Sequence, residues 1–472
     1  MRKGILKDTL VYTSASFFSK GVGFIFIPFY TRLLSPRDYG IIDILNVFMA
    51  FSVVVFTGQL VQGVARFLPE METESEKSLC ASTTLIFVAM SFCIFLSISF
   101  LFSGRLSSLL LKDNDSAGIF QLSLPWIASS ALLDICQSQL RFDLKAKQYA
   151  IASITVVIVS ISSSILFVLG LRLGVRGFIL GQTAGSFGGL IVSYACARHR
   201  YRLIISWKLL RNMLLFCLPL IPSSLSALLF SYIDRFLISN YLTIGDVGIY
   251  GMGARFASIA TMLIVGINLA LTPVIYATYK QDGTAENISR IFSILILALA
   301  PIIVGAILFS REILILMTTE KYYGAADVIP FIMAGAAISQ LYNFAPGIFI
   351  AKKTYLIILI NVVACLFNVG ANVILIPRVG IIGAAVSNAA TGLVIFLAYV
   401  TLGQREYKIP YKRIDIIIFA LCILVPYVFY RFGFWNTNII SGRFITYKIF
   451  ALVLIALVPA MRIASHTGLL RK

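Results

Sequence analysis

Charged and amide side chains inside apolar stretches are where this sequence could do chemistry. Burying an ionised group in hydrocarbon costs about 2.5 to 3.5 kcal/mol on insertion scales, and such groups face a bundle interior or a water-filled cavity. Lys20 lies about twelve residues into the first apolar stretch, roughly 18 Å deep at the rise of a helix, on one polar stripe with Thr13 and Ser16. Arg255 lies about nine residues into a later stretch entered from the opposite side, roughly 14 Å deep. These cations either line a cationic lumen or are neutralised by carboxylates and backbone carbonyls. Gln59, Gln62 and Arg66 make another polar line. Asp134, Gln137 and Arg141 share a helix face, so Asp134, the deepest acid, either pairs with Arg141 or serves as a coupling acid. Asn361, Cys365, Asn368 and Asn372 also fall on one face, which suits a sugar-binding wall or hydrogen bonds between helices. Asp43 and Asp234 lie nearer a surface, Asp234 beside Arg235, and read as local ion pairs.

Other chemistries lack their parts. There is no Gly-Lys dipeptide, hence no GxxxxGK[ST] phosphate loop. His199 and His466 are the two histidines and fall outside the apolar stretches, which leaves no Ser-His-Asp arrangement or His-based metal site within them. The seven cysteines form no CxxC pair, so neither a zinc site nor a disulfide framework is implied. No metal or cofactor is expected. A glycan polymerase or ligase would need a large outer loop carrying acids, and the outer connections are all about 15 residues or shorter. Transport remains.

The elements that must position these groups are membrane helices. Of 472 residues, 59% are hydrophobic and 12% charged, with a mean hydropathy of +0.93, against roughly 25% charged in a soluble protein. A crossing needs about 20 apolar residues. Spans are expected near 8–32, 41–65, 79–102, 118–140, 149–170, 175–196, 212–241, 247–276, 291–317, 325–350, 354–376, 380–402, 413–431 and 444–462. The first is too long for a signal-peptide core and reads as retained. With the N-terminus inside, 24 of the 39 Lys and Arg residues fall on the inner side and 13 on the outer, so both termini are expected in the cytoplasm. The net charge of +19 marks those loops and no nucleic-acid domain. The basic loop Ala197–Asn212, with Trp207 and Leu209, reads as an interfacial segment among membrane lipids.

An internal repeat sets the organisation. LSPRDYGI (Leu34–Ile41) matches LTIGDVGI (Leu242–Ile249) at an offset of 208, and LRLGVRG (Leu171–Gly177) matches PRVGIIG (Pro377–Gly383) at 206. The offset spans six helices, so the halves are parallel repeats about an axis along the membrane normal. The expectation is an all-α polytopic membrane protein of about 14 transmembrane helices: lobes of six over 1–205 and 206–405, then two additional helices over 406–472. Gly177, Gly181, Gly185 and Gly189 form a small-residue line for close packing, as do Gly383, Ser387 and Thr391.

Three strings carry a family resemblance: IPFYTRLLSPRDYGIIDI (Ile27–Ile44), LPLIPSSLSALLFSYIDRFLI (Leu218–Ile238) and SREILILMTTEKYYGAADVI (Ser310–Ile329). With them the chain resembles the bacterial polysaccharide flippases, the Wzx-type O-antigen and capsule transporters of the multidrug/oligosaccharidyl-lipid/polysaccharide exporter superfamily. SKGVGF (Ser19–Phe24) is similar to the opening of the lipid II flippases, with Lys20 in the place of a lumenal arginine, but Phe26 stands where that family has a cation. The resemblance implies a flippase in the bacterial inner membrane, not an enzyme. It would carry an isoprenoid-pyrophosphate-linked oligosaccharide from the cytoplasmic to the outer leaflet by alternating access, with other polysaccharide assembly proteins as partners. Lys20, Arg255 and Arg66 would then meet phosphate, and the Asn and Gln faces sugar hydroxyls. A multidrug/ion antiporter of the same superfamily is the rival, and it would favour acids over cations in the lumen.

Overall fold

The computed structural model describes residues 21–112, 116–351, 353–431 and 442–467, and by contact the chain divides into two units, Met1–Ile233 and Asp234–Lys472. Every described element is helical, with no strand among the described residues.

Unit one runs α1 (Ile27–Leu33), α2 (Pro36–Phe56), α3 (Leu60–Phe67), α4 (Glu74–Leu101), α5 (Ser103–Leu111), α6 (Ala117–Phe142), α7 (Ala146–Ile165), α8 (Gly174–Ala197), α9 (Trp207–Cys217) and most of α10 (Leu220–Tyr241). Helix α6 is the core, burying Phe120, Ile127, Ala131, Cys136 and Leu140. Helix α8 packs on both α6 and α7 through its glycine line. A Cβ at Gly177 would lie 2.9 Å from the Phe167 carbonyl, and one at Gly181 within 2.6 Å of the Ser164 backbone, so close backbone approach replaces the missing hydrophobic drive between helices.

Unit two continues with α11 (Ile244–Thr278), α12 (Thr284–Met317), α13 (Ile329–Gln340), α14 (Gly347–Ile350), α15 (Thr354–Val379), α16 (Ile381–Glu406), α17 (Arg413–Arg431) and α18 (Gly442–Thr467). Helix α12 is buried along most of its length, and α17 and α18 both lie against it. Lys448 of α18 pairs with Glu312 of α12. Asp415 of α17 accepts from Arg462 Nε at 3.1 Å and from His466 Nε2 at 2.8 Å. Helix α18 therefore reaches past His466, which lies inside a membrane-length helix and not outside it as the sequence suggests.

The repeat has a structural cause. At the start of α2, Ser35 N–H donates to Asp38 Oδ2 at 2.8 Å while Asp38 N–H donates back to Ser35 Oγ at 3.2 Å; Thr243 and Asp246 form the same capping box at the start of α11, at 3.0 and 3.1 Å. The second match places a glycine of positive φ at the start of each of α8 and α16, Gly174 as the first residue of α8 at φ +56° and Gly380 just before α16 at φ +66°, a conformation that only glycine adopts without cost. Three residues on, Gly177 and Gly383 each touch the backbone of the preceding helix.

Every expected span from 41 onward is overlaid by helix, but three are broken. The span 41–65 stops at Thr57, 212–241 divides at Leu218–Pro219, and 325–350 joins Glu320–Asp327 to Ile329–Ile350 at a bend of 45°. Proline explains the second break, since Pro219 and Pro222 have no N–H to continue a preceding helix. Nine helices among the described residues are long and apolar enough to cross a membrane, or ten with the bent pair.

Candidate functional site

In unit one the expected polar line sits on a helix break. Gly58 and Gln59 both adopt left-handed backbone, φ +59° and +56°, and for a non-glycine residue that costs roughly 1 to 2 kcal/mol. The break is held from outside, because a Cβ at Gly58 would meet Leu214 of α9 at 3.2 Å and Gly63 faces Cys217 and Met213. Gln59 is half-buried at the break, and Gln62 and Arg66 are exposed on α3. Arg66 pairs with Glu70 one turn on, both exposed, so it presents an ion pair and not a lone cation. In unit two α11 runs unbroken from Ile244 to Thr278, so the capping box repeats but the break does not.

Asp134 is exposed on α6, and among the described residues it forms no hydrogen bond or ion pair. Arg141 instead donates to Ser138 Oγ at 2.7 Å and stacks over Tyr149 at 5.9 Å. Two helical turns separate Asp134 from Arg141 by about 10 Å of rise, so Arg141 hydrogen-bonds to the nearer Ser138 and acts on Asp134 through its charge, not through a direct contact. Lys20 lies outside the described residues. Arg255 is half-buried on α11 and accepts from Ser258 Oγ through its carbonyl at 2.6 Å.

A buried polar cluster lies within unit two. Asp234 is 1% exposed; its Oδ2 accepts from the Tyr250 hydroxyl at 2.5 Å and from Asn388 Nδ2 at 3.5 Å, while Oδ1 has no partner. Arg235 lies over the Tyr250 ring at 5.7 Å. One turn beyond Asn388 on α16, Thr391 Oγ1 accepts from Asn368 Nδ2 at 3.1 Å, and Asn368 Oδ1 accepts from Asn372 Nδ2 at 2.9 Å. Asn372 Oδ1 is buried without a partner. Hydrogen bonding between helices thus engages Asn368, to which Asn372 bonds within α15, while Asn361 is exposed elsewhere on α15. Asp234, expected in a surface ion pair, is a buried acceptor with an idle oxygen. Such groups are costly in an apolar interior and mark sites that bind protons or ions. The signal was available: Asp234 and Asn388 are polar residues inside apolar stretches, as Lys20 is.

Residues 29–327 match the family model described as polysaccharide biosynthesis protein. The chain belongs to that family. This family member is also 24% identical to Lsg locus protein 1 of Haemophilus influenzae over 404 residues, 80% of this chain and 95% of that one. It is 23% identical to the membrane protein MJ1375 of Methanocaldococcus jannaschii over 418 residues, 83% and 96% of the two chains. Among solved structures it shares the fold of the lipid II flippase MurJ in an inward closed conformation (TM-score 0.76, 15% identity, 97% of this chain and 99% of that chain). It also shares the fold of an inward-facing multidrug resistance MATE family transporter of the MOP superfamily (TM-score 0.65, 15% identity, 84% and 95%). Among the described residues of this family member, no group of three or more His, Cys, Asp or Glu is placed to hold a metal ion.

Proposed function

We propose that this polysaccharide biosynthesis protein is a flippase and not an enzyme, moving an isoprenoid-pyrophosphate-linked oligosaccharide of the O-antigen or capsule type from the cytoplasmic to the outer leaflet of the bacterial inner membrane by alternating access. The carrying observation is the family match over residues 29–327 of a chain built from membrane-length helices. What such a chain contributes to polysaccharide assembly is passage, because sugars and pyrophosphate lose several kcal/mol per unpaired polar group in hydrocarbon. In this reading the functional halves are 1–205 and 206–405 with 406–472 added, both termini are cytoplasmic, and Lys20 and Arg255 meet the pyrophosphate. Gln59, Gln62 and Asn361 serve the sugars. Asp134, without a hydrogen bond on α6, remains a coupling candidate, and the buried Asp234 is a second.

The test is complementation of a flippase-deficient strain, with membrane protein levels measured alongside. Surface glycan should return with the wild type and fall strongly with Lys20→Ala or Arg255→Ala, since a charge-assisted contact is worth about 1.5 to 3 kcal/mol, roughly ten- to hundred-fold. Normal glycan from the double variant would remove these cations from the site. The buried acid Asp234 favours one second reading, a multidrug/ion antiporter, which predicts drug resistance without glycan export.

A further inference from the structure

Arg198–Arg200 forms a short 3-10 turn after α8, and an extended strap leads from it to α9. The strap is pinned to unit one at three places. Arg200 Nε donates to both Asp143 carboxylate oxygens at 3.1 Å and its guanidinium pairs with Glu74. Arg202 N–H donates to Ser82 Oγ at 2.7 Å, and Ser206 N–H to Thr83 Oγ1 at 3.1 Å. Helix α9 then seats Leu210, Met213 and Cys217 inward. Around the pins at 202 and 206 two large apolar side chains are held away from the protein: Leu203 is 99% exposed, and Trp207 is 63% exposed.

The charges divide in the same way. Arg200 is consumed by two carboxylates, whereas Arg198, Arg202, Lys208 and Arg211 are exposed, and among the described residues their side chains make no hydrogen bond or ion pair. Four unpaired cations beside an exposed leucine and tryptophan are poorly suited to water alone. A soluble polyanion would answer the charge but leave Leu203 and Trp207 wet. A bilayer surface answers both, with phosphate at the level of the cations and acyl chains beneath the indole.

We propose that the strap Arg198–Arg211 is a rigid docking surface for anionic phospholipid headgroups, which Arg198, Arg202, Lys208 and Arg211 bind while Leu203 and Trp207 enter the acyl boundary. This site is independent of the transported substrate.

The test uses the full chain in nanodiscs of phosphatidylcholine with increasing phosphatidylglycerol, either lipid carrying bromine on its acyl chains. Quenching of Trp207 is isolated as the difference between wild type and Trp207→Phe, an exposed and conservative change. Brominated phosphatidylglycerol should reach half-maximal quenching at a lower mole fraction than brominated phosphatidylcholine. Lys208→Gln and Arg211→Gln should each raise that mole fraction roughly fivefold, and about 0.5 M salt should abolish the preference in the wild type. Arg105→Gln, an exposed cation on α5, should change nothing. Equal quenching by the two lipids, or a preference that survives both strap variants and salt, would overturn the proposal.

Discussion

Tyr250→Phe removes the shortest hydrogen bond that the buried Asp234 carboxylate accepts and leaves it with the 3.5 Å contact from Asn388. A distance of 2.5 Å is that of a charge-assisted O–H···O bond, worth about 1.5 to 3 kcal/mol against about 1 kcal/mol for a neutral one. Because Oδ1 already lacks a partner, nothing in the site takes up the lost donor, and the expected cost is about 2 kcal/mol. For a unit of this size that is a fall in Tm of about 4 to 8 °C. Asp234→Asn keeps the shape and an acceptor for Tyr250 while removing a buried charge, so it should cost less than about 1 kcal/mol or stabilise slightly. In the double variant the Tyr250→Phe penalty should shrink to about 1 kcal/mol, giving a coupling energy of about 1 kcal/mol. Thermal unfolding of the wild type, the two single variants and the double variant in detergent measures the cycle. A Tyr250→Phe penalty that is the same with and without the Asp234→Asn substitution would refute the charge-assisted bond.

Two further outcomes follow from particular contacts. Gly383→Ala should abolish or strongly reduce folded protein in the membrane, because its Cβ would lie 2.5 Å from the Leu375 carbonyl oxygen, whereas Gly370→Ala, with nothing within 4 Å, should fold as well as the wild type; solubilised monomer yield compares them. Burial, then the neighbouring Lys145 and Arg200, holds the His199 pKa below its usual 6.5, so the native state resists its protonation. Stability is complete above about pH 6.5 and declines as pH falls through that value toward the lower native pKa; His199→Gln should flatten this slope in unfolding measured from about pH 7.5 to about 5.

What the sequence made legible was what local chemistry encodes. The paired strings at Leu34 and Leu242 are visible because Ser35–Asp38 and Thr243–Asp246 must supply side chains to cap α2 and α11. Gly174 and Gly380 stand out because their φ is positive. The break at Gly58–Gln59 was not legible, since it depends on α9, far along the chain, packing against it through Leu214. Asp234 was misread for a related reason. Its sequence neighbour Arg235, whose charge does act on it, suggested a pair near the surface, while the hydrogen-bond partners that enclose it, Tyr250 and Asn388, come from other helices. The i, i+7 spacing of Asp134 and Arg141 says that they share a face but not that Arg141 will turn to Ser138 instead.

Transfer of the substrate itself tests the central claim most directly. Purified protein in sealed vesicles is given an isoprenoid-pyrophosphate-linked oligosaccharide confined to the inner leaflet, and its appearance outside is read with a membrane-impermeant lectin. The wild type should expose the sugar well above empty vesicles, and the Lys20→Ala, Arg255→Ala double variant should fall toward the empty-vesicle rate. Exposure by the wild type no faster than in empty vesicles, with the protein shown to be folded and correctly inserted, would contradict the flippase account.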